Sequence, residues 1–131
     1  MNVLVVEDDL VQSRQLERYL IGRGYSVSLA IDVQSAWEAA EEITPDVILL
    51  DLNIPGGTGL RFLIQRNGSS RLRSVPVIVI TCVEDPVVRQ MAAEHVVEVI
   101  FSKPVDYQLL GASLDSVRSR IATPPGSGPI R

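Results

Sequence analysis

Four short stretches of the sequence carry side chains that could handle a phosphoryl group, and each follows an apolar run. Glu7-Asp8-Asp9 comes after Val3 to Val6, Asp51 after Val47 to Leu50, Thr81 after Val77 to Ile80, and Lys103-Pro104 just after a run ending at Phe101. Clustered carboxylates raise one another's pKa unless a divalent cation occupies the space between them. A hard-oxygen set of this kind suits Mg²⁺. Phosphoryl transfer asks a protein mainly to position groups and neutralise charge, so a carboxylate nucleophile, a metal and a lysine suffice. An ionised Asp51 needs no separate base, and Thr81 offers an O–H donor. Lys103 is the sole lysine among twelve basic residues, and a compact ammonium suits a point-charge contact to phosphate. Taken singly, Asp8 or Asp9 could merely cap a helix, Asp51 could open a turn, and Thr81 and Lys103 could be ordinary surface residues. Their shared position at the ends of apolar runs is what singles them out.

The runs that must position these groups read as five strands: Val3 to Val6, Val27 to Ala30, Val47 to Leu50, Val77 to Ile80 and Val96 to Phe101. Three are almost continuously apolar, as expected when helices cover both faces of a parallel sheet. Between them lie helical spacings: Leu16, Tyr19 and Leu20; Ala36, Trp37 and Ala40; Leu60, Leu63 and Ile64; Val88, Met91 and Ala92; and Leu110, Leu114, Val117 and Ile121. Strand and helix alternating in this way predict right-handed βαβ units and an α/β, doubly wound fold. In such a sheet the ligand site lies outside the carboxyl ends of the strands, where all four polar stretches fall. Asp9 to Gln12 predicts a capping box opening the first helix, and Gly22 and Gly24 close it. Pro45 and Pro76 stand just ahead of the third and fourth strands.

At 131 residues and 46% hydrophobic, the sequence supports one domain with one core. A net charge of -4 argues against a surface built to bind nucleic acid or an anionic membrane. No apolar run approaches the roughly 20 residues of a membrane span, and the N-terminus lacks the pattern of a secretory signal. Cys82, the only cysteine, leaves no internal disulfide, so a reducing cytoplasm is the simpler expectation. His95 reads as a lone, solvated histidine and Trp37 as a packing residue. The division expected is a domain over residues 1–121 followed by a flexible tail or linker, 122–131, rich in proline and glycine.

Together, Val-Leu-Val-Val-Glu7-Asp8-Asp9, Val-Ile-Leu-Leu-Asp51-Leu-Asn53-Ile-Pro55-Gly56, Pro-Val-Ile-Val-Ile-Thr81 and Ser-Lys103-Pro104 resemble the receiver domain of bacterial two-component response regulators. The resemblance implies a flavodoxin-like five-stranded parallel sheet in the order 2-1-3-4-5 with five helices. It implies phosphorylation of Asp51, with Mg²⁺ held by Glu7, Asp8, Asp51 and the backbone carbonyl of Asn53. Thr81 would then meet the phosphoryl group and Lys103 would pair with it. The implied role is a cytoplasmic signalling switch, not an enzyme beyond assisting its own phosphorylation and dephosphorylation. A histidine kinase or histidine phosphotransfer protein would supply the group. An output domain or target would read it through the fourth helix, fifth strand and fifth helix, and the resemblance admits a phosphorylation-dependent dimer.

Three positions depart from the family pattern. Ile100 stands where an aromatic residue usually precedes the lysine, Cys82 follows the threonine in place of alanine or glycine, and the glycine common before the fifth strand is absent. Because Ile100 is β-branched, it predicts a smaller, more local switch. Gly56-Gly57-Thr58-Gly59 could alternatively cradle a phosphate, as in a flavodoxin-like FMN binder, but acids after the first strand would repel it. An aspartate-based phosphatase would use Asp51 and Lys103, yet the chain leaves no room for a cap. A receiver acting as a phosphorylation-independent binding module would not need the intact polar set.

Overall fold

The computed structural model describes residues 1–55, 59–82, 84, 86–95 and 97–122. Five strands, β1 (Asn2–Val6), β2 (Ser26–Ala30), β3 (Val47–Leu50), β4 (Val77–Thr81) and β5 (Val99–Ser102), alternate with five helices. These are α1 (Leu10–Gly22), α2 (Val33–Glu42), α3 (Gly59–Asn67), α4 (Pro86–Ala93) and α5 (Tyr107–Ala122). Every strand pairing is parallel, as the apolar runs predict, and the order is β2-β1-β3-β4-β5, as the family resemblance implies.

Successive side chains of a strand point to opposite faces, and here both faces are covered. Leu4, Val6, Ile48, Leu50, Val77 and Val79 pack with Ala36, Ala40, Phe62, Leu63 and Ala92 of α2, α3 and α4. Val3, Val5, Val47, Leu49, Ile78 and Ile80 pack with Leu16, Leu20, Leu110, Leu114 and Val117 of α1 and α5. Double burial is therefore the cause of the uninterrupted apolar runs.

Several details depart from the sequence reading. The fifth strand begins at Val99, three residues later than expected, and runs one further to Ser102. The carboxylate of Glu98, just before it, takes a 2.7 Å contact from Arg120 at the surface, which holds that residue at the bend leading into β5; Val96 lies outside the described residues. Ile64, Met91 and Ile121 are exposed. On α3 Gly59, Leu60, Phe62, Leu63 and Arg66 are buried, and at 3.6 residues per turn Ile64 falls past the Leu60 edge of that face, in solvent. The expected boundary after residue 121 lies one residue inside the end of α5, and residues 123–131 are outside the description.

The predicted capping box of α1 is half realised: the Asp9 carboxylate accepts from the Gln12 amide at 3.0 Å. The return bond is not made by Gln12, because the Asp9 amide donates to Oε2 of Glu7 at 3.2 Å. A reciprocal box occurs instead on α2 between Asp32 and Ser35, a pair the sequence reading passed over. Trp37 packs against the core beside Phe62, ring centroids 5.4 Å apart. His95 is half-buried, its Nδ1 2.8 Å from Nδ2 of Asn67, so it is less solvated than expected.

α1 and α5 meet where the hydroxyl of Tyr19 donates to the carbonyl of Tyr107 at 2.8 Å. Gly111 permits this approach: a Cβ there would stand 2.5 Å from the Tyr19 oxygen. Alanine at position 111 gains about 1 kcal/mol of helix propensity but meets overpacking that costs about 1–3 kcal/mol. Gly111→Ala is therefore expected to lower the melting temperature, and adding Tyr19→Phe should recover it. A single variant as stable as the parent would show that Tyr19 yields freely.

Candidate phosphoryl-handling site

The parallel register brings the ends of β1, β3, β4 and β5 to one edge of the sheet. The Asp51 amide donates to the carbonyl of Val6 and the Lys103 amide to that of Thr81, each at 3.0 Å, so the backbone ladder continues into the polar residues of this edge. Asp51 and Glu7 are buried, Thr81 is fully so, and Asp8 and Asn53 are exposed. Lys103 lies across the two buried acids, its Nζ 2.8 Å from Oδ2 of Asp51 and 2.5 Å from Oε1 of Glu7. The other Asp51 oxygen accepts the Thr81 hydroxyl and the Asn53 amide, both at 2.9 Å.

Glu7, Asp8, Asp51, Asn53, Thr81 and Lys103 thus all arrive at this edge. The Thr81 hydroxyl faces the carboxylate directly. Asn53 meets Asp51 through its backbone N–H, in the Asx-turn geometry that short acidic side chains favour. Gly59, considered above only within a phosphate-cradling loop, has a definite role. Its amide donates to the Leu52 carbonyl at 2.9 Å, and a Cβ would lie 2.6 Å from the Asp51 carbonyl oxygen and 2.7 Å from the Leu52 Cα. The start of α3 is thus pressed directly against the Asp51 backbone. Gly56, Gly57 and Thr58 lie outside the described residues. Ile100 is half-buried on the α2–α4 side of the sheet.

One ammonium serving two carboxylates leaves the acids under-compensated. Burial raises the pKa of Glu7 above its ordinary value and the charge of Asp51 adds to it, against the lowering effect of bonds from Lys103 and the Asp9 amide. For Lys103, burial is the largest single influence and pulls the pKa down. Its bonds to Asp51 and Glu7, with their charges, together outweigh burial and leave it raised. The Glu7 shift comes chiefly from burial, with the Asp51 charge adding to it, whereas the Lys103 shift comes from its two carboxylate partners. Oxygens of Glu7, Asp8 and Asp51 come within 4.8 Å of one another, and an all-oxygen set with uncompensated negative charge fits a hard divalent cation.

The linkage has a definite sign. The folded pKa of Glu7 is raised, so its ionisation costs stability as pH climbs past the ordinary value, and that cost is complete above the folded value. Glu7→Gln is therefore expected to raise the melting temperature of the metal-free chain at about pH 8, and the gain should shrink toward about pH 4, where the parent carboxyl is also neutral. A variant that melts lower than the parent at the higher pH would contradict this.

Comparison with known proteins agrees with this geometry. The response regulator receiver domain family model matches residues 3–115. Response regulator PleD of Caulobacter vibrioides is 32% identical over 115 residues, covering 88% of this chain and 25% of PleD. The phosphate regulon transcriptional regulatory protein PhoB of Escherichia coli is 31% identical over 120 residues, covering 92% of this chain and 52% of PhoB. The chain therefore spans a quarter to about half the length of these curated relatives. Among solved structures, chemotaxis protein CheY4 of Vibrio cholerae superposes with a TM-score of 0.80 at 27% identity, covering 88% of this chain and 97% of that one. No helix among the described residues is long and apolar enough to cross a membrane. Sheet order, strand-end chemistry and sequence relationship converge, and the chain belongs to the receiver domains of two-component response regulators, which are signalling modules.

Proposed function

We propose that Asp51 accepts a phosphoryl group from the phosphohistidine of a histidine kinase or histidine phosphotransfer protein. The observation that carries this reading is the convergence of Lys103, Thr81 and the Asn53 amide on the two oxygens of the one buried carboxylate at the end of the central strand. A carboxylate oxygen of Asp51 attacks phosphorus, the P–N bond breaks, and its electron pair stays on the imidazole nitrogen, which takes up a proton. Asp51 gives up its own charge in forming the acyl phosphate. Lys103 and the Thr81 hydroxyl are then placed to donate to phosphoryl oxygens, and the buried setting strengthens both contacts. Glu7, Asp8, Asp51 and the Asn53 carbonyl would hold Mg²⁺, which supplies charge neutralisation as the phosphoryl group arrives. Protonation of the acids competes with the metal.

In this reading the phosphorylated domain, residues 1–122, changes its affinity for an output domain or target through the face formed by α4, β5 and α5. Residues 123–131 serve as the tail or linker, and the setting is the cytoplasm. A bound phosphoryl group can shift the fold only by contacting its two states differently. With Thr81 already turned inward and Ile100 in place of a ring, the shift is short-ranged. The test is exposure to a small phosphodonor with Mg²⁺, followed by intact-mass measurement. Addition of one phosphate, lost on chelation of Mg²⁺, is the expected result. An unchanged mass with the metal present would refute the reading.

A further inference from the structure

A pocket of about 570 Å³ opens away from the acidic edge, at the opposite, N-terminal edge of β4 and β5, between the ends of α3 and α5. β4 separates the two edges by about 13 Å, at roughly 3.3 Å per residue.

Its polar lining is basic. Arg66, Arg73 and Arg120 face it together with His95. Glu98, the one acid in the lining, is already bonded to Arg120 at 2.7 Å. Arg66 is the unusual member, since its residue is only 4% exposed. Its Nε and Nη2 donate to the Val75 carbonyl at 3.1 and 2.6 Å, and its Nη1 to Oδ1 of Asn67 at 3.2 Å. These use three of the five N–H groups a guanidinium carries and supply no negative charge. Neither Arg66 nor Arg73 has a carboxylate of a described residue within salt-bridge distance. Buried charges are ordinarily paired, and burial accordingly pulls the Arg66 pKa down.

The remaining wall is apolar, formed by Pro76, Val117 and Ile121. A volume of this size falls in the range of small-molecule sites, about 300–1,000 Å³, and exceeds what an inorganic anion fills. We infer that this pocket binds a phosphorylated small molecule of nucleotide size, whose anionic group meets Arg66 and Arg73 and whose apolar body lies against Pro76, Val117 and Ile121. The planar guanidinium fork is matched to a phosphate group. Nothing in this inference involves Asp51, so it stands or falls separately from the proposed phosphorylation.

The test titrates the full chain with AMP, and separately with inorganic phosphate, in the presence of chelator so that the acidic edge holds no metal. Amide and arginine side-chain NMR shifts are followed. AMP should saturate with a Kd below about 1 mM, moving Arg66, Asn67, Ser74, His95 and Glu98 while Asp51 and Thr81 stay still. Inorganic phosphate should bind more weakly at the same residues. Arg73→Ala, on an exposed side chain, should weaken AMP about tenfold, the loss typical of one charge-assisted contact. Glu98→Gln should tighten it, because the competing carboxylate is gone. No saturable shift with either probe, shifts centred on Asp51, or an affinity indifferent to both substitutions would overturn the site. Equal binding of the two probes would overturn the apolar contact.

Discussion

Asp51→Asn is expected to abolish phosphorylation altogether while leaving the chain folded. The substitution keeps the volume of the side chain and removes the carboxylate that meets both Lys103 and Thr81. An amide oxygen can still accept from one of these donors, but an amide nitrogen facing the Lys103 ammonium or the Thr81 hydroxyl contributes no charge and no nucleophile. Stability should not suffer in the metal-free chain. Asp51 adds to the repulsion felt by Glu7, and that repulsion disappears with the charge. The measurement is paired: intact mass after phosphodonor treatment and a melting curve without metal. A singly phosphorylated Asp51→Asn species forming at the parental rate would falsify the assignment of the acceptor.

Gly59→Ala should have the largest effect on the fold of any change outside the sheet core. The added methyl meets backbone on two sides, the Asp51 carbonyl oxygen at 2.6 Å and the Leu52 Cα at 2.7 Å. Neither can rotate away as a side-chain terminus would, so the start of α3 must lift off the end of β3. Overpacking of this kind costs about 1–3 kcal/mol, and the upper end of that range is expected here. Phosphorylation should slow as well, because the displaced backbone carries the Asp51 carboxylate out of register with Lys103. Gly68→Ala is the control. A Cβ there meets only the Gln65 carbonyl at 3.5 Å, an ordinary contact, so its stability should stay within about 0.5 kcal/mol of the parent. Equal stabilities for the two variants would show that the α3 start is not held against Asp51.

The sheet and its polar edge are legible in the sequence for a shared reason. A strand buried on both faces must be apolar throughout, so its polar terminus is conspicuous, and Asp51 after Val47 to Leu50 is such a case. Lys103 stood out because every other basic residue is arginine. What escaped notice depends on atoms that a residue type does not reveal. The Asn53 contact to Asp51 is a backbone amide, and the need for glycine at position 59 comes from the approach of backbone 7 and 8 residues earlier in the chain. Local pattern puts the start of β5 too early because valines run on both sides of Glu98, whose ion pair with Arg120 does not show in it. Arg66 was passed over because an arginine on a helix is normally a solvated residue, whereas here the Val75 carbonyl draws it inward.

Glu7 joins the start of α1, next to it in the chain, to a lysine 96 residues away. One of its oxygens holds Lys103, and the other receives the amide of Asp9, the residue that caps α1. A carboxylate has only so much electron density to share, so whatever draws on one oxygen loosens the grip of the other. The first turn of α1 therefore serves as an outlying gauge of how heavily the acidic edge is loaded. Hydrogen exchange at the amides of Asp9 and Gln12 reads that load without touching Asp51 or anything bound to it.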